Sequence, residues 1–483
     1  MLWTFVLAIS LCTGISKAQK AVLQSQNNTF NSTFRLSPAQ IAAANISEGV
    51  AHDVEVALNF ERSNNAGYLI QDDPFYILPE NLDPLNLPPP GTILKVEEHT
   101  NMSFYTVPTS LSMSRFLYTS EALNGSSVPA SAYVLWPYLP RKYPHLTSCS
   151  GHSASNNSVF PVIGFAHGTS GQTQACAPSG QRNLWDEFHE PFPMALAGYA
   201  VVAPDYAALG VPNGISPYFI LPAQANDLFH AVDAAQKQWP SLLSREFVVA
   251  GQSQGGGVAW ASAQRQYQRP VEGYLGTMAI SPFTDILAII EADSVSQNNG
   301  RVAGIAQGLN TVLPDFDLSD WLTDVGVARW NLLHDIKGCG ITGGRLWSNA
   351  SGVQILKDGW NTSPAAMWYK NVTTNGGKPF AGPLLVMQGM EDPNANEPVN
   401  TRMVHLTCEM FPDSQLSYSR WADITHVPVL YSGQHMWLDW IQARFNGIEV
   451  PKGCQLQGYS PVRGVGNIAR DQEWFIEYDL YGI

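Results

Sequence analysis

The chain has 483 residues, 45% of them hydrophobic and 14% charged, with a formal net charge of -14. That length holds one large catalytic domain carrying insertions. The acidic balance disfavours phosphate backbones and anionic membranes, and with no basic run, nucleic-acid module or sustained heptad pattern the sequence excludes nucleic-acid and coiled-coil roles.

The chain opens MLWTFVLAISLCTGISKA. Its apolar run is shorter than the about 20 residues a membrane-spanning helix needs. Ser16-Lys17-Ala18 fits a small-x-small cleavage site, so residues 1–18 read as a signal peptide. No later apolar stretch is long enough to span a bilayer, and the mature chain is expected to be secreted. N-x-S/T sequons start at Asn27, Asn31, Asn45, Asn101, Asn124, Asn156, Asn349, Asn361 and Asn371. Their density in an exported chain argues for surface glycans. Once Cys12 leaves with the signal, Cys149, Cys176, Cys339, Cys408 and Cys454 remain. An odd number allows at most two internal disulfides and leaves one thiol over.

Residues 19–89 read as a glycosylated leader with one helix near 38–57 and a proline-rich connector at 84–90. GTILKVEEHT, SRFLYTSEA and ASAYVLWPY alternate and carry β-branched or aromatic residues, which predicts antiparallel strands. PVIGFAH (161–167) and GYAVVAPDY (198–206) read as buried strands with a helix near 184–197 between them. QANDLFHAVDAAQKQW (224–239) has helical apolar spacing, EFVVAG is a strand and GGVAWASAQRQ a helix. EGYLGTMAIS and GPLLVMQG are two more strands. This alternation predicts an α/β fold, a mostly parallel sheet with helices on both faces. The core then covers 90–284 and 379–454, with a tail at 455–483. Residues 285–378 are too many for an ordinary crossover. They are helical, apolar and rich in Trp and Leu, and read as a helical cap over the carboxyl edge of the sheet, where ligands of open α/β sheets bind.

Gly251-Gln252-Ser253-Gln254-Gly255 is a G-x-S-x-G between an apolar strand and a small-residue helix. That context suits a nucleophile on a sharp turn, with glycines where a side chain would clash across it. The N–H of Gln254, at the helix start, can face a developing oxyanion. Ser253 needs a base and the base an orienting acid, in the chain order Ser, acid, His. Asp392, just past GPLLVMQG, is the favoured acid over Glu391 and Asp423. His426, in the loop ADITHVPVL, is the favoured base; His405 reads as a packed helix residue and His435 as packing or facing solvent. HGTSG (167–171) follows an early strand and can supply a second oxyanion N–H from Gly168 or Thr169, with His167 orienting the loop.

Together PGTILK, SRFLYTSEALNGSSVPASAYVLWP, HGTSGQTQACAPS, GYAVVAPDYAALG, the GQSQG turn, PLLVMQGMEDPNANEPV and THVPVLYSGQHMWLDWIQARFNG resemble the fungal secretory lipases of the lipase A type, over roughly residues 90–454. The resemblance implies an α/β-hydrolase fold, a cap, and a Ser253-Asp392-His426 triad. It also implies disulfides Cys176–Cys339 and Cys408–Cys454, with Cys149 left over. It departs at Gln252 and Gln254, where the family more often places an aromatic and a small residue. The expected activity is ester hydrolysis through an acyl-enzyme by a monomer, with an ester substrate, a lipid interface as a further partner, and no metal or cofactor. The polar glutamines also admit acyl transfer to another acceptor, with exopeptidase action as a related reading. The apolar cap and sequons admit a non-catalytic binding protein.

Overall fold

A computed structural model of the protein describes residues 34–83, 86–150, 159–185, 190–212, 214–292, 298–348 and 353–468. Among these, one sheet is built from β1 (Ile93–Glu97), β2 (Ser112–Glu121), β3 (Ser127–Trp136), β4 (Phe160–Ala166), β5 (Ala200–Pro204), β6 (Leu243–Gln252), β7 (Tyr274–Ile280), β8 (Leu384–Gly389), β9 (Leu416–Trp421) and β10 (Cys454–Tyr459). Their order across it is β1-β2-β3-β5-β4-β6-β7-β8-β9-β10. The pairings β1–β2 and β2–β3 are antiparallel, as the alternating sequences predicted, and β3–β5, which they did not predict, is antiparallel as well. All pairings from β5 to β10 are parallel.

The period of two in the strands divides the core. Val162, Val202, Val249, Ala279 and Val386 bury on one face of the sheet. Their neighbours Ile163, Val201, Val248, Ile280 and Met387 bury on the other. A parallel strand covered on both faces must be apolar throughout, and β4 (FPVIGFA) and β5 (AVVAP) are. Helices Leu221–Gln238 and Gln254–Gln268 cover the first face through Leu228, Val232, Val258 and Ala259. Helices Pro191–Leu196 and Gln434–Phe445 cover the second through Phe192, Trp437 and Ile441.

Between β7 and β8 run the helices Ile286–Ala292, Asn298–Asn310, Leu318–Trp321, Asp324–Asp335, Gly340–Ser348 and Pro364–Thr373. Thr323 and Ser363 start two of them by accepting from Gly326 N and Ala366 N. The insertion has its own small core of Ala303, Leu322, Trp330, Trp347 and Ile355. It rests on the loops after β4 and β5. Gly340 N donates to Ser170 O at 2.8 Å, and Tyr369 OH donates to Phe219 O at 3.1 Å.

Two parts differ from the sequence reading. The single helix expected near 38–57 is two, Pro38–Ala43 and Glu48–Ser63, capped by Ser37 and Ser47. They are no detached leader: Val50, Val54 and Leu58 bury with Leu332, Leu333, Ile336 and Leu346 of the insertion. Glu61 accepts from Cys339 N (2.7 Å), Thr342 N (2.8 Å) and Thr342 Oγ1 (2.7 Å), capping the helix Gly340–Ser348 from 278 residues away. Burial raises its carboxyl even so. The expected tail from 455 also begins inside the sheet. Strand β10 (CQLQGY) pairs with β9 in parallel and is mostly exposed at the edge, so it lacks the apolar run that marks a buried strand.

Disulfides join Cys176 to Cys339 and Cys408 to Cys454, as the resemblance implied. Cys149 is a half-buried free thiol that burial pushes up to about 11, so it is protonated at neutral pH. Asn45, Asn101, Asn124 and Asn371 are exposed, and Asn361 is half-buried with its amide on Glu291 Oε1 at 2.9 Å. The signal peptide, Asn27, Asn31, Asn156 and Asn349 lie outside the described residues. No helix among the described residues is long and apolar enough to cross a membrane.

Candidate active site

Strand β6 ends at Gln252, and the helix Gln254–Gln268 begins two residues later. Ser253 alone makes the turn, at φ 60° and ψ -122°. A non-glycine residue rarely holds such a backbone, and the strain persists only where the surroundings impose it. They do. Ser253 N donates to Ile280 O at 3.0 Å, and Gly257 N donates to Ser253 O at 3.0 Å. A Cβ on Gly251 would stand 2.3 Å from Gly255 O, and one on Gly255 would stand 1.9 Å from Ala166 O. The two glycines of the motif are therefore steric necessities of the turn.

The chain order predicted for the partners brings them together. His426 Nε2 lies 2.8 Å from Ser253 Oγ, and His426 Nδ1 lies 2.8 Å from Asp392 Oδ2. Asp392 follows β8 in the turn before helix Glu397–Met410, and His426 follows β9 just before helix Pro428–Ser432. Gly389 lets the two loops meet, since a Cβ there would stand 2.4 Å from Ile424 O. Glu391 N donates to Ile424 O at 3.0 Å. Asp392 Oδ1 accepts from Asn394 N (2.8 Å) and Ala395 N (2.9 Å), which fixes the carboxylate plane. Ser281 Oγ donates to His426 O at 3.1 Å. Of the competitors, the Glu391 side chain is exposed and Asp423 is half-buried. His435 faces solvent, and His405 is exposed on its helix rather than packed, contrary to the sequence reading.

The loop after β4 lies beside the turn. His167 is buried, with Nδ1 2.6 Å from Gly168 O and its ring stacked 4.2 Å from the Tyr206 ring. Its Nε2 lies 3.3 Å from Asp205 O, so the ring bridges the loop and the end of β5. Thr169 Oγ1 donates to Gln254 Oε1 at 2.9 Å and meets Tyr218 OH at 3.3 Å. The first N–H groups of a helix have no partner inside it, so the N–H of Gln254 faces out of the helix start. Gln254 is thus tied to the loop by its side chain, and Gln252 is buried with its amide nitrogen unpartnered. Below, the buried Asp205 accepts from Ser131 Oγ (2.6 Å), Ser179 N (2.7 Å) and Ser179 Oγ (2.6 Å). Burial raises that carboxyl against these donors. Among the described residues no group of three or more His, Cys, Asp or Glu side chains is placed to hold a metal ion.

A hydroxyl, an imidazole and a carboxylate in one hydrogen-bonded row can pass the hydroxyl proton to the ring and balance the charge that results. The row stands where β4 feeds β5 on one side and the chain then crosses to β6 on the other, the place where open parallel sheets bind ligands. The structure is similar to the closed state of Candida antarctica lipase A, with a TM-score of 0.62 at 17% identity over 83% of this chain and 94% of that one. It is also similar to the rice cell wall degrading esterase LipA from Xanthomonas oryzae, with a TM-score of 0.56 at 14% identity over 73% of this chain and 100% of that one.

The chain has the α/β-hydrolase fold.

Neither a protein-family model nor a curated protein sequence matches it. Within this fold, sequence reasoning missed Thr169 as a side-chain link to Gln254, and it missed Tyr218, Ser281, Gln388 and Asn400 altogether. No local pattern marks them: Tyr218 and Ser281 meet Thr169 and His426, 49 and 145 residues away, and Gln388 and Asn400, 12 residues apart, meet only because the turn between β8 and the next helix folds them together.

Proposed function

We propose that the protein is a secreted serine hydrolase of the lipase A type that cleaves carboxylic esters. The observation that carries this is the row Ser253 Oγ, His426 and Asp392, with both links at 2.8 Å, on a strained strand-to-helix turn. Ser253 attacks the ester carbonyl while His426 Nε2 takes its proton. Asp392 holds the Nδ1–H tautomer and stabilises the imidazolium. The N–H of Gln254 and an N–H of the loop at Gly168 and Thr169 bind the tetrahedral oxyanion. His426 then protonates the leaving alcohol, and water attacks the acyl-enzyme by the same route in reverse. The steps require no metal or cofactor.

Lipase and esterase names among the similar structures support ester hydrolysis. Two disulfides, exposed sequons and the signal-like first residues support secretion. The insertion at 285–378 acts as a cap over the core, tied to the oxyanion loop by Cys176–Cys339. Turnover of p-nitrophenyl esters of graded acyl length by wild type and Ser253→Ala tests the reading. The variant is expected to lose at least about 10³-fold in kcat. Equal rates for the two proteins would refute it.

A further inference from the structure

Behind the carboxylate of Asp392 lies a row of buried polar groups that all point one way. Thr284 Oγ1 donates to Asn400 Oδ1 at 2.6 Å. Asn400 Nδ2 donates to Gln388 Oε1 at 2.8 Å. Gln388 Nε2 donates to Asp392 Oδ2 at 3.0 Å, the same oxygen that faces His426 Nδ1. Thr284, Asn400 and Gln388 are completely buried. Each comes from a different element: the entry to the insertion, the helix Glu397–Met410, and β8.

The direction of the row follows from its surroundings. Besides Asp392, Gln388 Nε2 meets Ala395 O at 3.0 Å and Gly389 O at 3.1 Å. Turned over, its amide would set an oxygen against two carbonyls and a carboxylate. Asn400 Nδ2 also donates to Pro282 O at 2.7 Å, so its amide is fixed in the same sense. An amide with only acceptors around its nitrogen has one orientation. Asn375, near the far end of the insertion, ties it back to Thr284 and to the helix after Ser253. Asn375 N donates to Thr284 O at 3.1 Å, and Asn375 Nδ2 donates to Gly257 O, on the helix after Ser253, at 2.8 Å.

We propose that Gln388, held in orientation by Asn400 and Thr284, is a positioning residue that fixes the Asp392 carboxylate and moderates its pull on the His426 imidazole. This rests on the reading of Ser253, His426 and Asp392 as the catalytic groups. A donor on Asp392 Oδ2 takes part of the negative charge that His426 would otherwise have to itself. Removing it makes the carboxylate a stronger acceptor, so the protonated ring persists to higher pH. Losing it also loosens the carboxylate rotamer, which is then held by the two backbone N–H groups on Oδ1 and by His426 Nδ1 on Oδ2. The other titratable groups about this site are Tyr418, which feels the Asp392 charge, the Glu397–Arg420 pair at 3.2 Å, Glu391 and Asp423. All are unchanged by the substitution, so a shift between wild type and variant reports Gln388.

The test is Gln388→Met, close in shape and unable to donate. Steady-state kinetics on p-nitrophenyl butyrate are measured from pH 5 to 9, normalised to sites titrated with a fluorophosphonate. Per titrated site, kcat is expected to fall about ten- to a hundredfold, the rate equivalent of one hydrogen bond to a charged group. KM should stay within about twofold, and the acid limb of kcat/KM should move to higher pH. An unchanged kcat, or a loss explained wholly by fewer titratable sites with the acid limb unmoved, would overturn the proposal. If Gln388→Met does not fold, Thr284→Val and Thr284→Ser decide. Serine restores the hydroxyl and should restore the wild-type profile, while valine should not; identical behaviour of the two overturns it. The rate and pH dependence of fluorophosphonate labelling of Ser253 give a readout that needs no ester turnover. Absence of ester hydrolysis with normal labelling would therefore sink the ester reading and leave this one measurable.

Discussion

Adding one methyl group at Gly255 tests the geometry of the turn most directly. The new Cβ would stand 1.9 Å from Ala166 O, 2.5 Å from Ala166 C and 2.8 Å from His167 O. Non-bonded heavy atoms rest about 3.5 Å apart, so roughly 1.5 Å of separation must be found. Every obstructing atom is backbone, and no side chain can swing away. Strand β4 cannot yield alone, because Phe165 and Ala166 are laddered to Ala250 and Gly251 of β6. The start of helix Gln254–Gln268 must therefore move away from the end of β4. That widens the gap between the Gln254 N–H and the loop at Gly168 and Thr169. Overpacking of this kind costs about 1–3 kcal/mol of stability. A misplacement of about 1 Å at reacting groups costs about a hundredfold in rate. Gly255→Ala is accordingly expected to lose about a hundredfold in kcat on p-nitrophenyl butyrate, with a lowered Tm. Gly344→Ala is the control, since a Cβ there meets nothing within 4 Å inside a helix. It should leave kcat unchanged and gain up to about 1 kcal/mol. A Gly255→Ala protein with kcat within threefold of wild type and an unshifted Tm would refute the steric argument.

Asp392→Asn is expected to lose about 10³–10⁴-fold in kcat while still folding. Asn394 N and Ala395 N hold an oxygen at the Oδ1 position, so the new NH2 faces His426 Nδ1, forces the tautomer whose Nε2 carries the proton, and also loses the hydrogen bond from Gln388 Nε2. Activity within tenfold of wild type at pH 8 would contradict this. Asp227 is completely buried, accepting from Ser120 Oγ and, at 2.9 Å, from Ala207 N, and burial raises its carboxyl to about 7. The folded state keeps a proton that the unfolded chain loses near the ordinary value of 3.8. Its contribution is thus full below about pH 4 and is lost as pH rises through about 7, a span worth roughly 4 kcal/mol. Asp227→Asn should flatten the stability profile between those limits, read from urea unfolding at pH 4 and pH 7.5. The same pH difference in wild type and variant would refute the assignment.

Much of this protein was readable along the chain because much of it is local. The apolar runs of β4 to β8, short and set between turn residues, read as strands covered on both faces, and the alternating runs before them paired antiparallel as written. The turn at Ser253 is encoded within five residues, since the two glycines answer clashes made by their own neighbourhood. Asp392 and His426 were reached by chain order, and the disulfides by resemblance. Tertiary structure alone decided the rest. Strand β10 has no apolar run, and only its register on β9 and the Cys408–Cys454 bridge make it part of the sheet. Helical structure near residues 38–57 was legible, but not its division into two helices, their place against Leu332 and Leu346 or the reach of Glu61 to Thr342. The row Thr284, Asn400, Gln388 and Asp392 was invisible, although each residue was in plain sight. Periodicity and turn chemistry act over a few residues and leave a pattern in the sequence. A buried hydrogen bond between distant segments leaves none, because its energy depends on where packing brings the two chains together.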